Sequence, residues 1–209
     1  MKYLQKLSVI ALVICTIASC GNETNRRRDP PWANGKVFWL ESTGAKIYLP
    51  PSTKRSSRFR LETDLPGLAA DSFILRSFQD ALHLLDTGEG VTDVFVDTLQ
   101  GGSLLIMKPL PERFPINKQT AAMLKAQVSP NFSINTVPGA ESIELIQSKI
   151  QTSGTRGIAT IKYKFQGPEF GTTYRTVYTF STEFYTYSAM AWEDRFTDLG
   201  PYLWSLQEQ

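Results

Sequence analysis

The chain has 209 residues, 42% of them hydrophobic and 11% aromatic, enough apolar side chain for one well-filled core. Its 22 Lys and Arg stand against 20 Asp and Glu, and removing Lys2 and Lys6 with the leader argued below leaves 20 against 20. Near-neutrality excludes nucleic acid as the main partner, because phosphate backbones are held by clustered Lys and Arg whose counterion release supplies most of the affinity.

Lys2 and Lys6 precede an uncharged apolar run, Leu7 to Ile17. It has the length of a signal h-region and falls short of the roughly 20 apolar residues a spanning helix needs. Ile17-Ala18-Ser19-Cys20 resembles the bacterial lipobox, in which small residues let the chain enter a peptidase cleft and the thiol takes the lipid. The resemblance implies a signal peptide at 1–19, cleavage before Cys20 and membrane attachment through lipid on Cys20. Two or three acyl chains anchor stably, since each buried methylene contributes about 0.8 kcal/mol. Gly21 is not the aspartate that marks inner-membrane retention in enteric bacteria, so an outer-membrane destination is somewhat favoured, facing the periplasm or the cell surface. Both cysteines, Cys15 and Cys20, fall in this region, so the mature body has no free thiol and no cysteine nucleophile. Residues 20–35 carry Arg26-Arg27-Arg28 and Pro30-Pro31 without an apolar period and read as a flexible tether; the single domain is 36–209.

Lys36 to Leu40 and Ala45 to Leu49 read as an opening hairpin around Ser42-Thr43-Gly44, closed by Pro50-Pro51. Ser52 to Asp64 is mixed and charged, with at most a short strand around Phe59-Arg60-Leu61. A helix from Ser72 to Leu85 follows from the spacing of Phe73, Ile74, Phe78, Ala81, Leu82 and Leu85. Val91 to Leu99 and Leu104 to Lys108 form a second hairpin through Gln100-Gly101-Gly102-Ser103, and a helix over Lys118 to Val128 follows Asn117.

Four strands in series, Ser142–Thr152, Gly157–Phe165, Thr173–Phe180 and Phe184–Glu193, predict an antiparallel meander. In the last, Phe184, Met190 and Trp192 point one way and Tyr185, Tyr187, Ala189 and Ala191 the other, so both faces are expected to be covered. A closing helix over Arg195 to Gln207 has Pro201 near its start, which moves the expected beginning to Gly200.

Ile47-Tyr48-Leu49-Pro50 ending an early strand, and Ala191-Trp192-Glu193 leading towards Trp204-Ser205-Leu206, resemble the PsbP-like group, which includes Mog-type Ran-binding proteins. The resemblance covers some 150 residues by pattern. It implies an α+β fold, an α/β/α sandwich around a central antiparallel sheet of about 6–7 strands, and a role as an assembly factor or binding module rather than a catalyst.

Reactive chemistry is sparse. His83 is the one histidine and reads as a surface or boundary residue. Asp93 and Asp97 share a strand face roughly 13 Å apart, too far to hold one proton or metal ion between them. Together with Glu193 and Asp194 they read as solvated surface charge. No cofactor or metal site is expected. The aromatics of the meander, Tyr174, Tyr178, Tyr185, Tyr187 and Trp192, form the candidate binding surface. The leading reading is a noncatalytic, lipid-anchored binding or assembly module with a protein partner in the cell envelope. A carrier of a small apolar ligand on that aromatic face is second, and a serine or carboxylate hydrolase third.

Overall fold

The computed structural model describes residues 30–64, 78–83, 85, 90–97, 103–132, 139–195 and 198–208. The predicted leader, Cys20 with its expected lipid attachment, and most of the predicted tether lie outside them. Pro31–Asn34 forms a 3-10 turn, and the Gly35 amide donates to Trp32 O at 2.8 Å. The folded unit thus starts at Pro31, slightly before the expected boundary.

Strands β1 (Lys36–Trp39) and β2 (Lys46–Leu49) make the expected hairpin. Seven further strands form one antiparallel sheet: β3 (Lys54–Ser56), β4 (Asp93–Asp97), β5 (Ser103–Pro109), β6 (Ser142–Ser153), β7 (Arg156–Gly167), β8 (Gly171–Ser181) and β9 (Thr186–Glu193). Their spatial order is β3-β4-β5-β9-β8-β7-β6. The C-terminal meander and the central hairpin are therefore as read from alternation, and the strand count matches. The surprise is how they meet: β5 pairs with β9, Ile106 opposite Met190 and Leu104 opposite Trp192, which joins the two halves into one sheet.

Period-two alternation then sorts the side chains. On one face Phe95, Leu105, Met107, Ala189, Ala191, Tyr178, Phe180, Tyr187 and Ile158 pack against Phe38, Ile47 and Leu49 of the hairpin and Leu199, Leu203 and Leu206 of the C-terminal segment. On the other, Leu61, Phe78 and Ala81 cover Val94, Leu104, Ile106 and Trp192. Further along that face Leu124, Val128 and Phe132 cover Ile161, Tyr163, Phe165 and Val177. Met190 touches both of these clusters, so they form one continuous layer. The residues expected to diverge along β9 do so, Met190 and Trp192 to the second face, Tyr187, Ala189 and Ala191 to the first.

Among the described residues helical structure is scarcer than expected. Arg58–Asp64 is a helix, α1, not a strand. Ser57 Oγ accepts from the Arg60 amide, Arg58 pairs with Glu62 one turn on at 2.9 Å, and Leu61 is fully buried. Residues 78–83 are helical within the predicted Ser72–Leu85 helix, whose first turns fall outside the described residues. Asp80 fixes this segment to the sheet by accepting from Arg175 of β8 and from the Trp192 indole. The closing helix shrinks to one turn, α3 (Gly200–Leu203), beginning at Gly200 as Pro201 requires. The first face is therefore layered by a β-hairpin and a single helical turn, and the molecule is α+β with a dominant antiparallel sheet.

The helix α2 (Lys118–Val128) has its predicted bounds. Asn117 Oδ1 accepts from the Gln119 and Thr120 amides, and Thr120 Oγ1 reciprocates to the Asn117 amide. None of its residues is fully buried, so its end groups matter more than its packing. Asn117→Ala is expected to cost about 1 kcal/mol, seen as a lower urea midpoint at unchanged slope.

Candidate functional site

The stretch Lys54-Arg55-Ser56-Ser57-Arg58-Phe59-Arg60 runs from the edge strand β3 into α1, and five of its residues line an open cleft of about 500 Å³. Arg55, Arg58, Arg60, Ser56 and Ser57 form one wall, and Gly90, Thr92 and Val94 of the chain entering β4 another. Arg55 is held in place: its guanidinium donates to Asp93, Glu41 and the Trp39 carbonyl and lies 5.3 Å from the Phe95 ring centre. Beside these lining residues in the chain stand large apolar side chains in water, Phe59 at 74% exposure and Val91 at 56%, and Trp39, whose carbonyl receives Arg55, is 51% exposed. Positive charge, hydroxyl donors and exposed aromatic area sit within one small region. Arg and aromatic residues are the types enriched at protein interfaces. No sequence reading singled it out, although four cations around one phenylalanine in seven residues is a legible signal.

The carboxylates read as solvated charge are largely internal. Asp93 is 1% exposed. It accepts from the Glu41 amide at 2.8 Å, the Ser42 amide at 3.3 Å, the Ser42 hydroxyl at 2.7 Å and Arg55 at 2.9 Å. It ties the turn of the first hairpin to β4. Asp97 is buried too and accepts from the Ser52 hydroxyl at 2.5 Å. Glu193 and Lys162 form a sealed ion pair, 1% and 0% exposed, at 2.9 Å, with the Thr176 hydroxyl as a further donor to Glu193 Oε2. Burial pushes the Glu193 carboxyl up to about 7, against the opposing pull of Lys162 and Thr176. Its Oε1 is buried without a hydrogen-bond partner. Asp194 is partly buried, which raises its carboxyl from the usual range while Arg195 opposes the shift. The reason for the discrepancy is β-register: Ala191 lies beside Thr176 and Thr176 beside Lys162, so Glu193, one step along the same face, reaches a lysine two strands away. At this burial the pair is closed to solvent.

The five aromatics proposed as a binding surface do not share one. Tyr178 and Tyr187 are fully buried on the first face; Tyr187 stacks on Phe180 at 5.0 Å, and Tyr178 Oη accepts from the Leu199 amide at 3.0 Å. Trp192 is buried on the opposite face. Tyr174 is half-buried, and Tyr185, 40% exposed, lies in the β8–β9 turn beside Phe184. Alternation sends neighbours to opposite sides, and two closed cores absorb them. His83 is exposed on its helical segment, as expected. Among the described residues no group of three or more His, Cys, Asp or Glu is placed to hold a metal ion, and no helix is long and apolar enough to cross a membrane.

What fold and cleft define is an α+β domain on a seven-stranded antiparallel sheet with an arginine-lined recess at one edge. Searches against protein-family models and curated proteins find no match to the chain.

Proposed function

We propose that the protein is an exported lipoprotein, acylated on Cys20, whose domain is a noncatalytic binding or assembly module of the cell envelope. The leader and lipobox support the address. The observation that supports the binding role is the cleft lined by Arg55, Arg58 and Arg60, together with the exposed Phe59 that stands between Arg58 and Arg60 in the chain and the exposed Trp39 whose carbonyl receives Arg55. Large apolar side chains held in water beside fixed guanidinium groups favour a protein segment that presents carboxylates next to an apolar anchor, since Arg and aromatic residues dominate binding energy at interfaces. The three-layer arrangement of the PsbP-like group belongs to the same proposal. Helices on one face of the sheet, and a hairpin with a helical turn on the other, are its support.

The experiment places a photocrosslinking side chain at position 59 of the full-length chain in its native membrane. One discrete protein adduct is expected. It should disappear with Arg60→Glu and be absent when the same side chain sits at Gln127, exposed on α2. Equal adducts from both positions, or none from position 59, would overturn the reading.

A further inference from the structure

The far edge of the sheet is β6, twelve residues long and, among the described residues, paired through β7 alone. A long open edge is a template for another strand, and proteins usually blunt such edges with charge or a bulge. Here both devices are present, and together they make the edge complementary to itself. Glu144 and Lys149 are five positions apart, so in a regular strand they would face opposite sides. A bulge between Leu145 and Gln147 shifts the register by one. Glu144 is opposite Lys164 of β7, Gln147 opposite Lys162 and Lys149 opposite Thr160, three positions of equal parity. The bulge therefore returns Glu144 and Lys149 to the same face and aims their backbone amides and carbonyls in the same direction. Ile143 and Ile150, opposite Phe165 and Ala159, share the other face by the same argument. That face is the one covered by α2, through Leu124 and Val128. Its apolar side chains at this edge are unusually bare, Leu145 at 36% and Ile150 at 37%, with Met123 of α2 at 55%.

We propose that β6 pairs antiparallel with β6 of a second copy, about a two-fold axis perpendicular to the sheet and passing between Ile146 and Gln147. This one register sets Glu144 opposite Lys149 of the partner subunit and Lys149 opposite Glu144 of the partner subunit. It also brings Ile143 against Ile150 of the partner subunit, and both pairs occur twice. Opposite charges and β-branched residues directly across strands are the favourable cross-strand pairs, and the axis keeps each face of the sheet continuous through the junction. The result is a fourteen-stranded sheet whose α2 helices meet on one side. A shift by a single residue would put outward-facing amides against inward-facing ones, so the bulge also selects the register.

The test is sedimentation equilibrium of the full-length chain in detergent micelles. The wild type should dimerise. Glu144→Lys and Lys149→Glu, each placing like charges opposite at two symmetric positions, should each weaken the dimer by about tenfold or more. The double variant E144K/K149E should restore it, because swapping both residues rebuilds the same pairs. Both side chains are exposed, and an unchanged thermal midpoint by circular dichroism verifies that the fold is intact. A wild type that remains monomeric up to its solubility limit overturns the proposal. So does a dimer indifferent to either single swap, or a double variant as dissociated as the singles. The crosslink from position 59 concerns the opposite edge, so the two readings stand or fall separately.

Discussion

Lys162→Met is expected to lower the stability of the folded protein by about 3–5 kcal/mol at pH 8, and by distinctly less at pH 5. The lysine is wholly buried and bonds Glu193, itself buried with one carboxylate oxygen unpartnered. Removing the ammonium leaves a charge in a low-dielectric interior with the Thr176 hydroxyl as its remaining donor. The sign of the pH effect follows from the direction of the shift. Burial already raises the Glu193 carboxyl to about 7 against the pull of Lys162, and without that pull it rises further. A carboxyl with a folded value above its unfolded one takes up a proton on folding. Its contribution is fully present below the unfolded value near 4.5 and is lost as pH rises through the folded value. Urea titrations of variant and wild type at both pH values measure the difference. Adding Glu193→Leu to the variant should recover most of the loss, because replacing both members of a buried pair is often neutral whereas removing one is not. Equal losses at pH 5 and pH 8, or a double variant weaker than the single, would contradict this account.

Asp93→Ala should be comparably damaging, about 3–5 kcal/mol, with little dependence on the charge partner. Three of the four groups it receives are local to the first hairpin, two backbone amides and the Ser42 hydroxyl. Their loss strands donors in a turn that packs over β4. The Arg55 pair adds less, since that guanidinium is 29% exposed and can turn to water and Glu41. Asp93→Asn keeps an acceptor for the amides and is expected to cost roughly half as much. Limited proteolysis should show early cleavage within residues 36–49 of the alanine variant. A loss below about 1 kcal/mol would mean that the turn is held by packing alone.

The parts of this fold that are legible in the sequence are those governed by near neighbours. Asn117 followed three residues on by Thr120 announces the start of α2, and the alternation from Gly157 to Phe165 announces β7. What is not legible depends on partners far along the chain. Asp93 meets Ser42 across 51 positions and Lys162 meets Glu193 across 31, so nothing near them in sequence betrays that they are interior. The charged segment at Ser52–Asp64 is deceptive for a different reason. Phe59 and Leu61, two apart, imitate the same-face apolar pair of a strand, yet two steps of a helix turn them to opposite sides, one out to solvent and one into the core. The aromatic surface is misjudged because five neighbouring aromatic residues look like one patch until register and burial separate them.

The C-terminal tail carries a consequence for how the molecule comes into being. Lys46 and Gln207 exchange backbone hydrogen bonds, the Ser205 hydroxyl accepts from the Tyr48 amide 157 positions earlier, and Arg156 donates to the carbonyls of Trp204 and Leu206. Docking the first hairpin against this segment thus closes nearly the whole folded unit into one loop. Contacts of such separation form late, so the layer over the first face is expected to be completed after the sheet beneath it rather than to nucleate it.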